Sequence, residues 1–197
     1  MNRTVAVVVG GLCAGMLAGC TWVSTAPTTP PTPSATHTPT PSPSSSAMEQ
    51  SDPGLGIVFL DPPTLTGEQV DVYNWIATYD KEYWRTLTTN QVSPAFAVMA
   101  SAEVQTQMQQ MATDNTSAQS HIGGTFEVRV SGITVDGDTA RGSACRDFGK
   151  VTFADTKGTH TLKEMGLDQP ALVEMTLQRG AAPHQWMIVT SGRTGTC

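Results

Sequence analysis

Helical periodicity is the clearest pattern in the middle of the chain. Apolar residues recur at three, four or seven positions and form one stripe, made by Val70, Tyr73, Ile76, Tyr83 and Leu87. Thr66 and Gln69 have the spacing of a capping box, so this helix is predicted to begin after Thr66. Two more helices are predicted, a short one that starts at Ser93-Pro94 and a third over residues 102–118.

Alternation of apolar and polar residues takes over after Gly123-Gly124 and predicts a sheet. The turn Asp136-Gly137-Asp138 predicts a hairpin between the first two strands. Four strands are expected, over residues 124–135, 139–154, 171–177 and 185–190, with an irregular stretch over residues 159–169. Helices followed by strands with short turns predict an α+β domain, in which the helices pack on a four-stranded antiparallel sheet.

A short apolar segment, residues 56–60, precedes the helical pattern and is followed by Pro62 and Pro63. Proline cannot continue the pairing of a central strand, so this segment is interpreted as an edge strand or as a strap laid over the domain. The boundary of the folded domain is placed near residue 54, which gives a domain over residues 54–197.

The first 19 residues have the parts of an export signal. After Arg3 no charged residue appears until Glu49, and an apolar run of about 14 residues follows the basic start. That run is shorter than the ~20 residues that a membrane-spanning helix needs. Residues 1–19 are therefore interpreted as a signal peptide.

The end of this segment reads Leu17-Ala18-Gly19-Cys20 and resembles the lipobox of bacterial lipoproteins. The resemblance implies cleavage before Cys20, a diacylglycerol group on the Cys20 thiol and a fatty acid such as palmitate on its amine. Two or three acyl chains anchor a protein stably, whereas one chain is marginal. The alternative is an ordinary secretory signal cut nearby, with Cys20 left as a free thiol.

A stalk is expected between this anchor and the domain, over residues 20–53. Residues 26–46 are almost entirely Pro, Thr and Ser, which have little to bury, so they are expected to form an extended, disordered spacer. The whole tether between Cys20 and the domain could then reach up to ~100 Å from the membrane, at ~3.1 Å per residue. Cleavage removes Cys13 and lipidation uses Cys20, which leaves Cys145 and Cys197. An even pair in an exported domain predicts a disulfide, and the alternative is two unrelated free thiols.

The domain resembles the NTF2-like superfamily, and more closely the tethered, secreted NTF2-like lipoproteins of high-GC Gram-positive bacteria. The resemblance is carried by the aromatic helix from Tyr73 to Trp84, by Ala140–Asp147 and by Gln185–Val189. It implies a cone in which helices pack on a curved sheet, and a cystatin-like domain is the alternative. The superfamily includes isomerase-like enzymes, dehydratases, small-ligand binders and interaction modules, so the fold does not settle the function.

Catalytic chemistry finds weak support in the residues. Asp147 and Glu174 are the carboxylates weighed for acid–base work, with Tyr73 and Tyr83 as hydrogen-bond donors. Asp147, however, follows an arginine. Glu174 lies between the inward-facing Val173 and Met175 and is expected to face solvent, across from Arg129 or Arg141. No catalytic residue is assigned, and the domain is predicted not to be an enzyme.

Binding of metals, cofactors and nucleic acid is not predicted either. The three domain histidines, His121, His160 and His184, lie beside turns and have no i, i+4 spacing. The formal net charge of −6 argues against a nucleic-acid binder, which needs a basic face for phosphates.

The aromatic residues leave two interpretations open. Tyr73, Tyr83, Trp84 and Trp186 are either core packing or the lining of a cavity for a small apolar ligand. The expected protein is a lipoprotein held on the outer face of the cell membrane, which presents a small binding domain to an unknown protein or apolar ligand, as an accessory of an envelope complex. A phage-encoded lipoprotein that blocks superinfection and a cone-pocket isomerase or dehydratase are the alternatives.

Overall fold

The computed structural model describes residues 48–197. The predictions for the signal peptide, Cys20 and the Pro/Thr/Ser-rich stalk lie outside these residues. Three helices and six strands follow one another in the order β1, α1, α2, α3 and β2 to β6. The helices are α1 (Glu68–Thr89), α2 (Phe96–Met99) and α3 (Ala102–Ala118), and the strands are β1 (Ile57–Phe59), β2 (His121–Asp136), β3 (Thr139–Asp155), β4 (Gly158–His160), β5 (Ala171–Arg179) and β6 (Trp186–Thr196).

The strands form one sheet in the order β1-β2-β3-β5-β6, with β4 paired to β3. Strand β1 is parallel to β2, and all the other pairs are antiparallel. The predicted α+β class, with helices packed on a mostly antiparallel sheet, is confirmed. The predicted count of four strands is wrong, since the sheet has six.

Both additional strands are only three residues long, too short for a clear alternating pattern. The segment at residues 56–60 is an edge strand rather than a strap, because Ile57 pairs with Phe126 and Phe59 with Val128. Strand β4 follows the turn at residues 156–157, and its last two residues lie in the stretch predicted to be irregular. Its backbone groups find partners on the end of β3.

The start of α1 differs from the predicted capping box. Its N-cap is Gly67, with a φ of 57°, and no side chain among the described residues caps it. This φ lies in the left-handed region that favours glycine. The first turn is held by a tertiary contact instead, since Arg179 of β5 donates to Glu68 at 2.7 Å.

The hairpin of β2 and β3 is confirmed and is slightly longer than predicted. Along β3, alternate residues face the helices and are buried, while their neighbours face away. Register shifts interrupt β2 between Thr125 and Glu127 and between Ser131 and Thr134. Such bulges bend a strand and increase its twist. The helices cover one face of the sheet, and the other face meets solvent.

Residues just before the expected boundary at residue 54 also contact the domain. The Glu49 amide donates to Asn74 Oδ1 at 2.7 Å, and the Glu49 carboxylate forms an ion pair with Lys81 of α1. Ser51 Oγ accepts a hydrogen bond from the Phe59 amide at 2.8 Å. Glu49 is therefore attached to α1, and Ser51 to β1. Nowhere in residues 48–197 is a helix both long enough and apolar enough to cross a membrane.

Candidate functional site

The predicted disulfide is confirmed. Cys145 of β3 and Cys197, the residue after β6, are bonded, with an S–S distance of 2.06 Å and a Cα–Cα distance of 6.0 Å. The Cys197 amide also donates to Pro170 O at 3.2 Å. The end of β6 is therefore fixed to the sheet by one covalent bond and one hydrogen bond.

A groove of about 560 Å³ lies between four strands of the sheet and the start of α3. Its lining comes from β2, β3, β5 and β6, with α3 contributing Glu103, Val104 and Gln107. Cross-strand pairing explains how the sequence builds it. Thr134, Arg141, Thr176 and Thr190 occupy one row across the four strands. Residues directly opposite on neighbouring strands share a face, so this row presents three hydroxyls and one guanidinium.

The next row on the same face is also polar, and it ends on a glycine. Ser143 lies between Ser131 and Glu174, and Glu174 pairs with Gly192. A Cβ at Gly192 would meet nothing within 4 Å, which leaves open space at the β6 end of the row. Hydroxyl, carboxylate and guanidinium groups in this pattern can hydrogen-bond a polar ligand.

Three charged side chains at the groove lack partners within residues 48–197. They are Arg141, Glu174 and Glu103, and none of them takes part in a hydrogen bond or ion pair there. Glu174 is exposed, as the sequence predicted. It forms no ion pair with Arg141 or Arg129 in the described chain, and Arg129 binds Asp61 at 2.9 Å. These free charges are available to a ligand.

A buried ion pair lies on the other side of the sheet and was missed by the sequence analysis. Arg146 of β3 is 6 % exposed, and Asp80 of α1 is fully buried. Arg146 donates to Asp80 Oδ1 from Nε at 2.9 Å and from Nη2 at 2.5 Å. Its guanidinium carbon also lies 4.2 Å from the centre of the Tyr83 ring, a cation–π distance. The pair connects α1 to β3 inside the domain.

Electrostatics keep this pair together. Burial raises the pKa of Asp80, and the charge of Arg146 opposes that effect. Burial alone would lower the pKa of Arg146, but Asp80, Tyr83 and Tyr79 outweigh it and raise that pKa. Arg146 donates both hydrogen bonds to the same carboxylate oxygen, the arrangement of a charge-assisted pair. Neither residue lines the groove, so this carboxylate has no access to a ligand there.

The aromatic residues proposed as a cavity lining pack against protein. Tyr73, Trp84 and Trp186 are at most 1 % exposed. Trp84 stacks on Phe126 with ring centres 5.2 Å apart, and its Nε1 donates to Leu55 O at 2.8 Å. The ring of Tyr83 contacts Arg146, as described above. This packing favours the core interpretation, and a cavity for an apolar ligand stays a prediction.

The remaining candidate residues take part in local contacts. Asp147 accepts a hydrogen bond from the Gly149 amide at 2.7 Å. His184 Nδ1 lies 2.7 Å from Asp71 Oδ2, and His160 Nε2 lies 2.9 Å from Asp155 Oδ1. Across residues 48–197, His, Cys, Asp and Glu side chains do not gather in threes as a metal site would require.

Comparison with known proteins adds no relative. A scan of protein-family models finds no match to the chain, and a search of curated proteins finds none either. The function is therefore argued from the residues.

Proposed function

We propose that the protein is a surface lipoprotein whose domain binds its ligand or partner at the groove between the sheet and the start of α3. The observation that carries the binding role is the set of three charged groups, Arg141, Glu174 and Glu103, that have no partner in the described chain. Arg141 and Glu174 lie among hydroxyl groups of the sheet, and Glu103 lies at the side of the groove that α3 forms. Accessible donors and acceptors of this kind can hydrogen-bond a ligand.

Anchoring and export are supported by cysteine chemistry. Cys20 follows an apolar run in a lipobox-like sequence, and the other two cysteines that would remain after cleavage form a disulfide. Structural disulfides persist in oxidising compartments and are rare in reducing ones. The proposed location is the outer face of the cell membrane, with residues 26–46 as the spacer.

A binding role is preferred to catalysis for a structural reason. Asp80, the fully buried carboxylate, binds Arg146 through one oxygen and does not reach the groove. Glu103 and Glu174, which do line the groove, are exposed to solvent rather than held in an enclosed pocket. Acid–base catalysis requires a group within hydrogen-bond reach of a substrate. The NTF2-like cone is likewise part of the proposal, and the long helix α1 on a bulged sheet supports it.

The anchor is tested by Cys20→Ala, with Cys13→Ala as the matched control inside the signal. Cys20→Ala should abolish fatty-acid labelling and release the protein from the membrane fraction, whereas Cys13→Ala should retain both properties. Membrane retention of an unlabelled Cys20→Ala protein would refute lipid anchoring.

The groove is tested by photo-crosslinking on intact cells. A photoreactive amino acid at Thr176, inside the groove, should give a discrete adduct, and one at Lys157, in the turn before β4, should not. Adding Arg141→Ala should remove the adduct. Identical products from the two positions, or an adduct that survives Arg141→Ala, would contradict binding at the groove.

A further inference from the structure

Strand β6 forms an edge of the sheet and is open along most of its length. It pairs with β5 on one side. On the other side, the start of α3 covers only its first part, where the Ser101 amide donates to Ile188 O at 2.9 Å and Ser101 Oγ donates to Val189 O at 3.1 Å. From Thr190 to Thr196, no other segment within residues 48–197 pairs with this edge.

The register identifies which backbone groups the open edge presents. Ile188 O points toward Ser101 and so away from β5. In an antiparallel pair, successive residues alternate between groups directed at the partner strand and groups directed away. A register shift between Thr176 and Leu177 adds one residue, Val189, to β6 between Ile188 and Thr190. Thr190 and Gly192 therefore direct their backbone groups at β5, and Ser191 and Arg193 direct their N–H and C=O groups outward.

Features that usually protect an edge strand are weak here. Proteins block such edges with proline, with lysine, with a β-bulge or with a covering element. A register shift opposite Leu172 and Val173 interrupts β6 at Thr194, so the regular part of the open edge runs from Thr190 to Arg193. Residues 190–196 contain no proline or lysine, and a Cβ at Gly192 or Gly195 would meet nothing within 4 Å. Arg193 is the one charge in this stretch, and its side chain is turned back to Gly166 O at 3.1 Å.

The groove continues from this edge. Val189–Gly192 line it together with Glu103 and Gln107 of α3, so a strand added to β6 would lie beside the groove. Neighbouring strands lie about 4.8 Å apart, which places Glu174 of β5 about 10 Å from an added strand. The extended side chain of a lysine can meet Glu174 across that distance, and Glu103 lies at the edge itself.

The net charge of the domain favours a basic peptide over a second copy of the domain as the occupant of this edge. Residues 48–197 hold all 17 acidic residues of the chain and ten of its 11 basic ones. A second copy of the domain, paired through the same edge, would bring two acidic domains together and place one Arg193 near the other. Like charges in direct opposition destabilise strand pairing. A separate peptide that carries a basic side chain avoids both problems.

We propose that the ligand is an extended peptide segment with a basic side chain, which adds as a strand along Thr190–Arg193. Outward N–H and C=O groups of Ser191 and Arg193 hydrogen-bond its backbone, and Glu103 or Glu174 accepts its cationic side chain. Backbone pairing at a sheet edge is a general mode of peptide recognition, in which side-chain contacts supply specificity. This inference rests on the proposed binding function and names its ligand class.

A peptide with altered backbone provides the first test. Random ten-residue peptides are displayed and selected on the full chain in detergent micelles, and the tightest binder is resynthesised with alternate amides N-methylated. Methylation removes backbone hydrogen bonds and leaves every side chain in place. We expect the affinity to fall by about tenfold or more, and amide exchange at Ser191 and Arg193 to slow only with the unmethylated peptide.

Variants of the protein provide the second test. Arg193→Pro removes the outward N–H and should weaken the selected peptide by about tenfold or more, whereas Arg193→Gln retains that N–H and should bind within about threefold. Glu103→Gln should weaken a lysine-bearing peptide by about twofold to fivefold at low salt and leave its norleucine analogue unchanged. Thermal unfolding of each variant checks that the domain is intact.

Several results would overturn the inference. These are a failure to select any binder, equal affinity for the methylated peptide, and exchange protection away from β6. Protection of the same amides by dimerisation without peptide would assign the edge to a second copy. A failure of the proposed function can be distinguished from a failure of this inference. The tests of the proposed function measure release from the membrane and crosslinking at the groove, not peptide binding. An adduct at Thr176 without peptide binding would leave the groove with another class of ligand.

Discussion

Removing the carboxylate of Asp80 leaves the guanidinium of Arg146 buried without its counter-ion. Arg146 is 6 % exposed and directs both Nε and Nη2 at Asp80 Oδ1. Loss of one partner from a buried pair costs about 3–5 kcal/mol, because the remaining charge keeps its desolvation penalty. We therefore expect Asp80→Ala to lower the free energy of unfolding by that amount. For a domain of about 150 residues, the Tm should fall by roughly 6–20 °C.

A double variant separates the charge effect from the loss of packing. Replacement of a buried pair by apolar residues of similar volume is often neutral or stabilising. Asp80→Leu combined with Arg146→Met should therefore be more stable than Asp80→Ala by about 2 kcal/mol or more. The exposed pair of Lys150 and Glu127, with an N–O distance of 2.6 Å, provides the control. Lys150→Ala should cost far less than Asp80→Ala, because solvent screens an exposed pair.

Urea unfolding followed by tryptophan fluorescence measures these differences. Trp84 and Trp186 are fully buried, so their emission reports the opening of the core. A loss below about 1 kcal/mol for Asp80→Ala, or equal losses for Asp80→Ala and Lys150→Ala, would refute the reasoning. Either result would mean that water or another group solvates the Arg146 guanidinium when the Asp80 carboxylate is removed.

The other predictions concern a covalent bond, an aromatic ring and a titrating pair. Replacing Cys145 and Cys197 by serine opens a loop with a sequence separation of 52 and should cost about 4 kcal/mol in urea unfolding; unchanged stability would contradict this. Trp84→Ala should cost about 3–5 kcal/mol, and a small loss accompanied by weaker binding of apolar probes would instead favour a ligand cavity. Asp71 raises the pKa of His184, first by its hydrogen bond and then by its charge. The contact between the protonated imidazole and Asp71 therefore stabilises the folded state fully below the usual pKa of 6.5, and this stabilisation is lost as the pH rises through the raised pKa. The Tm difference between the wild type and His184→Asn, measured against pH, should shrink over that window, and a constant difference would contradict the assignment.

The sequence was informative where a pattern is long. Sixteen residues of β2 and 17 of β3 alternate around a turn that contains glycine, so their hairpin could be predicted almost to its ends. The pairing of β1 with β2 and of β4 with β3 could not be predicted, because a three-residue strand is stabilised by the strand beside it rather than by its own sequence pattern. The capping box failed for a similar reason, since Glu68 is held by Arg179 from a distant strand.

The buried pair had a signal that the sequence analysis did not use. Asp80 continues the helical stripe of Tyr73 and Ile76 and precedes Trp84 by four residues. Arg146 has the same parity along β3 as the buried Ala140, Ala144 and Phe148. Opposite charges on two faces that both point to the core predict a pair. The groove, in contrast, depends on the bending of the sheet and on the placement of α3, which no local pattern specifies.

Strand β3 explains how an open edge can remain rigid. Cys145 and Arg146 are adjacent residues of β3, so their side chains point to opposite faces of the sheet. Arg146 is bound to α1 through Asp80, and Cys145 is bound to the residue after β6 through the disulfide with Cys197. The second bond holds the far end of β6 without covering its outer edge. A strand that receives a peptide benefits from this arrangement, because preorganisation reduces the entropy lost on binding. The same two features that stabilise the domain therefore leave the surface of β6 ordered and accessible.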